Sequence, residues 1–352
     1  NIMELGYQKH NTLKLKKLGV DFRNEHLAFM RRDCQVCKSE GFEALNRIRV
    51  SKGDRTLVAS LIVMDDPIQL NHGEIGLSDG AIEWLSAVEG DDITLSHMTP
   101  LDSMSDVRKK IYGNTLEAAA FSRIVRDISA SNLSNIQLSA FLTACAGDGL
   151  NGDEVTALTR AMIDVGFRLE WAQKEVFDKH SIGGLPGNRT TPIVVAIVAA
   201  AGLTIPKTSS RAITSPAGTA DTMETLTNVN LSVEQMKNVV NQEGGCLVWG
   251  GAVQLSPADD IMIRVERALD IDSEGQLIAS VLSKKAAAGS THVVIDIPVG
   301  PTAKVRSKKA AELLSEKMIA VGLTIGLNVA TVITDGRQPI GRGIGPSLEA
   351  LD

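Results

Sequence analysis

Thirteen residues, Lys179-His180-Ser181-Ile182-Gly183-Gly184-Leu185-Pro186-Gly187-Asn188-Arg189-Thr190-Thr191, bring together the groups that hold anions and move protons. They fall between a strand-like Val176-Phe177 and an apolar helix predicted over 192–201. Glycine lets the backbone turn tightly and bring its N–H groups close to a ligand. A helix opening at Thr191-Pro192 adds its free N–H groups and the positive end of its dipole. Lys179 supplies a full charge, and the Ser181 and Thr191 hydroxyls are further donors. The sum is an anion pocket suited to phosphate. His180 titrates near neutral pH and sits where it can pass a proton. A glycine loop alone would be read as a structural turn; the whole string favours the pocket.

A second cluster runs Thr208-Ser209-Ser210-Arg211-Ala212-Ile213-Thr214-Ser215-Pro216-Ala217-Gly218-Thr219-Ala220-Asp221-Thr222-Met223-Glu224. One hydroxyl there would be a helix cap, but so many beside Arg211 look like the wall of a polar pocket. A solvated loop is the plainer alternative. Asp221 and Glu224 are read as capping or orienting groups. In a third cluster, Arg264 precedes Ser280 and Lys284, which are four apart and share a helix face. A cation and a hydroxyl displayed together can read a planar ring bearing carbonyl oxygens, although the same residues also suit a solvated charged face. Gly341-Arg342-Gly343-Ile344-Gly345 lacks dinucleotide-binding spacing and reads as a turn feeding a helix.

The elements that must position these groups fall into three stretches. Residues 1–100 alternate in the manner of strands and read as a small barrel-like domain. Residues 101–172, with about 256–288, read as a helical domain: runs beginning at Thr115, Ser134 and Asp153 carry apolar residues at helical spacing. Residues 173–255 and 289–352 alternate strands and helices, which predicts a mainly parallel sheet. The expected fold is therefore multi-domain α/β. The chain stops at Asp352 as a new helix begins, and a start at Asn1 rather than Met is what a trimmed terminus gives.

Composition excludes several functions. A net charge of −6 leaves no phosphate-backbone footprint, and 3% aromatics supply no stacking surface, so nucleic acid is not an expected partner. The longest apolar run, 193–203, is too short to span a bilayer, and Asn1-Ile2-Met3 shows no signal segment. Four cysteines do not make a disulfide framework, and a reducing cytoplasm fits them better. Cys34 and Cys37 form one CxxC with no second pair at zinc spacing, so no metal is expected.

The Lys179-His180-Ser181-x-Gly183-Gly184 string, followed in order by Ser210-Arg211 and then Gly218-Thr219-x-Asp221 and Glu224, resembles the thymidine phosphorylase and AMP phosphorylase family. The resemblance covers roughly residues 105–352, and the β-rich front is similar to that of the AMP phosphorylase branch. It implies a nucleoside phosphorylase or phosphoribosyltransferase-like fold with a helical domain facing an α/β domain. It also implies further chain beyond Asp352 and a homodimer or higher oligomer formed through the helical domain, with residues 115–128 as a candidate contact face.

The implied site follows position by position. Lys179, Ser181, Thr191, Ser209 and Thr219 match phosphate-holding residues, and His180 matches the proton-handling histidine of the thymidine enzymes. Arg264, Ser280 and Lys284 match the trio that reads a pyrimidine base. In the AMP branch, Gly184, Ser210, Arg211, Ala212, Ile213, Thr214, Ser215, Thr219, Ser280 and Lys304 match nucleotide-binding positions, and Asp272 matches the proton donor. Thr214-Ser215-Pro216-Ala217-Gly218 stands where the thymidine enzymes carry Gly-His-Thr-Gly-Gly, a departure that bears on deoxynucleoside specificity.

The implied activity is pentosyl transfer: phosphate-dependent cleavage of a pyrimidine nucleoside to free base and pentose 1-phosphate. Inorganic phosphate is then a co-substrate and no cofactor is needed. The alternatives are AMP-phosphorylase-type cleavage of a nucleoside 5′-monophosphate, an anthranilate-type phosphoribosyltransferase, and a non-catalytic binding module.

Overall fold

The computed structural model describes residues 11–22, 25–39, 41–42, 47–65, 69–212, 216–253, 255–271 and 273–352. His10, Ile213, Thr214, Ser215 and Asp272 lie outside the described residues. The chain divides into two compact units, residues 1–105 with 127–138, and residues 106–126 with 139–352.

The first unit is built on a closed six-stranded barrel. Its strands are β1 (Thr12–Lys17), β2 (Leu27–Arg31), β3 (Arg47–Lys52), β4 (Arg55–Met64), β5 (Glu74–Leu77) and β6 (Asp92–Ser96), in the order β1-β5-β2-β4-β3-β6. Alternation decides which side chains point inward. Leu13 and Leu15 of β1, Ile48 and Val50 of β3, and Ile93 and Leu95 of β6 fill the interior. The short helices α1 (Gln35–Ser39) and α2 (Asp79–Leu85) belong to this unit, and Cys34 and Cys37 are free thiols in its apolar core.

Four helices follow: α3 (Ser103–Ile111), α4 (Ala118–Ser129), α5 (Asn135–Cys145) and α6 (Gly152–Val165). Asn151 and Glu154 form a reciprocal capping box at the start of α6. Glu154, 2% exposed, also accepts from Lys110 Nζ at 2.6 Å and from Leu116 N at 2.8 Å, which ties the end of α3 and the approach to α4 onto α6. The apolar stripe of α4 (Phe121, Ile124, Val125, Ile128) is buried within the chain itself. The apolar residues of 115–128 are thus already covered, while Glu117, Ala118, Ala119 and Arg126 of that segment are exposed.

The rest of the second unit is α/β. In chain order its elements are β7 (Phe177–Ser181), α7 (Thr190–Ala200), β8 (Ile205–Ser209), α8 (Thr219–Glu224), α9 (Val233–Glu243) and β9 (Gly245–Trp249). They continue as α10 (Pro257–Leu269), α11 (Glu274–Ala287), β10 (His292–Val299), α12 (Lys308–Thr324), β11 (Asn328–Asp335) and α13 (Pro346–Leu351). All pairings are parallel, in the orders β11-β10-β7 and β8-β9. A parallel bridge from Val176 to Thr204 links β7 to β8, and Phe177 N donates to Thr204 O at 2.8 Å. Helices α11 and α12 bury Ile278, Leu282, Leu314 and Met318 against Val293, Ile295 and Ile297 of β10, while α10 and α11 pack on α6.

Candidate functional site

Lys179, His180 and Ser181 are the last three residues of β7, so the strand runs further into the motif than Val176-Phe177 alone predicted. Polar residues hide a strand that the apolar pattern of β10 templates: His180 pairs with Ile295 and Ser181 with Asp296. Alternation then sends Lys179 and Ser181 to one face and Asp178 and His180 to the other. On the first face Lys179 Nζ donates to Thr191 Oγ1 at 3.4 Å, at the opening of α7. On the second, Asp178 meets α11 through Lys285, with Nζ to Oδ2 at 2.9 Å.

The glycine loop connects β7 to α7. Gly183, Gly184 and Gly187 have φ of +79°, +92° and +133°, conformations that suit glycine. A Cβ on Gly184 would lie 2.6 Å from Lys304 N, so Gly184 and Lys304, far apart in sequence, are neighbours. Asn188 stitches this loop to the second cluster. Its Nδ2 donates to Ala217 O at 2.9 Å, and its Oδ1 accepts from Thr219 Oγ1 at 3.1 Å.

Ser209 closes β8 with its side-chain oxygen buried and without a hydrogen-bond partner among the described residues. A buried hydroxyl left unpaired costs about 1–3 kcal/mol, a cost that pairing with a ligand oxygen would remove. Ser181 differs, since its hydroxyl donates to Asp296 Oδ2 at 2.8 Å.

Arg211 is committed elsewhere. Its guanidinium donates to both Glu224 oxygens, at 2.6 and 2.9 Å, and to Asp221 at 3.1 Å, and it stacks 4.7 Å above the Trp249 ring. The Glu224 and Asp221 carboxylates push it above its ordinary value. Arg211 is thus a clasp. Asp221 Oδ2 also accepts from Ala212 N at 2.7 Å and Gly218 N at 2.9 Å, which is the capping role read from sequence. Ser210 is exposed.

Of the third cluster, Ser280 and Lys284 are half-buried one turn apart on α11, and Arg264 is exposed on α10. Lys284 Nζ lies 2.5 Å from Asp259 Oδ2. Burial raises Asp260 above the ordinary carboxylate value, and the charges of Lys284 and Arg264 pull against that shift.

Charge is what joins these parts. Burial, together with Lys285, Lys207, Lys179 and Lys284, holds His180 well below its ordinary value. Burial likewise lowers Lys179. His180 therefore gives up its proton more readily than a free imidazole, in a neighbourhood rich in lysines. Asp178, Lys207, Lys285, Asp259 and Asp296 were not singled out as site residues from the sequence. The available signals were a lysine in the middle of the apolar β8 and an aspartate directly before the motif.

No group of three His, Cys, Asp or Glu among the described residues could hold a metal ion, and none of their helices is long and apolar enough to cross a membrane.

The glycosyl transferase family model for the a/b domain matches residues 173–351, and that for the helical bundle domain matches residues 107–166. A Hahella chejuensis protein named "Putative thymidine phosphorylase" is 57% identical over 342 residues, covering 97% of this chain and 68% of that protein. A Polaromonas protein of the same name is 58% identical over 340 residues, covering 97% and 66%. The chain thus spans about two thirds of the length of these relatives. Among solved structures, anthranilate phosphoribosyltransferase from Thermus thermophilus shares the fold at a TM-score of 0.52 and 20% identity, covering 67% of this chain and 68% of that one.

Proposed function

The chain belongs to the glycosyl transferase family, here pentosyltransferase enzymes, and from that premise we propose that it uses inorganic phosphate to cleave the N-glycosidic bond of a pyrimidine nucleoside. One observation carries the phosphate half of this reading. The carboxyl ends of β7 and β8, where parallel sheets take their ligands, hold Lys179 beside Thr191 and the unpartnered Ser209 hydroxyl. Names of the relatives support the nucleoside half.

In this mechanism a phosphate oxygen attacks the anomeric carbon from the face opposite the base. The new C–O bond forms as the C–N bond breaks, and the bonding pair departs with the base. Arg264 and Lys284 stabilise the negative charge that accumulates on the ring, and preorganised donors of this kind are worth about 3–4 kcal/mol each. His180 delivers the proton to the base. It is neutral before phosphate binds, and the negative charge of bound phosphate offsets the lysines and draws a proton onto it. Asp272 is the second candidate donor.

A nucleoside 5′-monophosphate would need a second anion site. Lys304, half-buried beside Gly184 and without an ion-pair partner among the described residues, favours that reading. The carboxylates on Arg211 weigh against a contribution from it.

The deciding experiment incubates the protein with phosphate and, in turn, thymidine, uridine, UMP, CMP and AMP, and follows base release. Phosphate-dependent release of thymine or uracil supports the main reading, and release from monophosphates alone supports the second. Turnover only with phosphoribosyl pyrophosphate and magnesium would overturn both.

A further inference from the structure

Beneath the motif lies a charge cluster that the proposed reaction does not use. Asp178 has a fully buried side chain, and two lysines share it: Lys285 Nζ is 2.9 Å from Oδ2 and Lys207 Nζ is 3.8 Å from Oδ1. Both lysine side chains are about as hidden, at 4% and 5% exposure. The other hydrogen bonds to Asp178 among the described residues come from neutral groups, Lys179 N at 2.7 Å and Ser290 Oγ at 3.5 Å. Cys246 on β9 brings no countercharge, because burial pushes its thiol up to about 12. Lys207 Nζ also donates to Thr208 O, another neutral group. Two lysine amines therefore face one carboxylate, and keeping both protonated without a further anion is costly. Burial and Lys285 accordingly hold Lys207 well below the ordinary ammonium value.

Position adds a direction. Lys207 and Ser209 are two apart on β8 and so share a face, with the unpartnered Ser209 hydroxyl on the carboxyl-terminal side. His180 and Lys179 feel the same field.

We propose that Lys207 is a positioning residue for phosphate: it gives the Asp178 cluster one lysine more than its carboxylate can keep protonated, and the bound phosphate supplies the missing negative charge. Lys207 does not touch the ligand. It acts through the field it lends to Lys179, His180 and the Ser209 end of β8. This inference rests on the phosphate site proposed above.

A structural role and a positioning role predict opposite behaviour in Lys207→Met. Methionine fills a similar volume without charge and leaves Asp178 paired one-to-one with Lys285. A positioning role therefore predicts a variant at least as stable to heat and urea as the parent. Its affinity for inorganic phosphate, titrated calorimetrically, would fall about tenfold or more. Its KM for phosphate would rise to match, while KM for the nucleoside stays within about twofold of the parent.

Each other result overturns the proposal. A parent protein that does not bind phosphate removes the phosphate site itself, and the inference falls with it. A parent that binds phosphate and a variant that binds it equally well overturn the inference alone. A variant that is less stable, or does not fold, shows Lys207 holding the structure rather than serving the ligand.

Discussion

The ammonium of Lys284 on α11 lies 2.5 Å from Oδ2 of Asp259 on α10, a carboxylate only 2% exposed. The pair joins the two helices that carry the residues matched to base recognition. Burial works against the charge on Lys284, but Asp259 and Asp260 outweigh it and raise the group above its ordinary value. The pair's contribution to stability is therefore fully present below about 10.5 and is lost as pH rises through the folded-state value.

Removing Lys284 should cost the fold as well as the activity. Lys284→Met leaves the Asp259 carboxylate buried without its partner, which costs about 3 kcal/mol, the lower end of the range for buried pairs because Lys284 itself is partly exposed. Urea unfolding measures this. Adding Asp259→Leu should restore most of the stability and none of the base binding. A single variant with the parent's midpoint would contradict the pairing.

Ser209→Ala should separate stability from function. It deletes a buried hydroxyl without a partner, so the phosphate-free protein should be equally stable or more stable by up to about 1–3 kcal/mol. Phosphate protection against thermal unfolding should shrink in the same variant. If protection is undiminished, the Ser209 end of β8 is not where phosphate sits.

Gly184→Ala should damage the loop. The residue has φ +92°, and a Cβ would lie 2.6 Å from Lys304 N, so both backbone strain and a clash oppose the change. Together these should cost about 2–3 kcal/mol and lower activity. Gly202→Ala is the control, because φ there is +79° but nothing lies within 4 Å of the added Cβ. Equal losses in the two variants would mean that the Lys304 contact is immaterial.

His180 sets a pH dependence of stability. Its folded-state value lies well below 6.5, so between the two values the unfolded chain binds the extra proton. In the absence of phosphate, stability should therefore fall as pH drops below about 6.5 and be flat above it with respect to this group. His180→Gln should remove that limb, and saturating phosphate should weaken it in the parent. Urea midpoints between about pH 5 and 8 provide the check. A parent and variant with parallel curves would show that His180 is not held neutral.

The amino-acid order alone settled the local matters. It placed the helices of the bundle, the β10 and β11 strands and the glycine loop that follows β7, because apolar periodicity and glycine–helix junctions are written in neighbouring residues. Ser209, Thr191 and Lys179 were legible as hydroxyls and a cation in the right order. Tertiary structure alone decided what each of them faces. That Arg211 is tied up by Asp221 and Glu224, that Gly184 lies against Lys304, and that Asp178 carries both Lys207 and Lys285 are contacts between residues well separated along the chain. Charge acts through space and its strength depends on burial, and neither distance nor burial is set until the parallel strands are laid side by side.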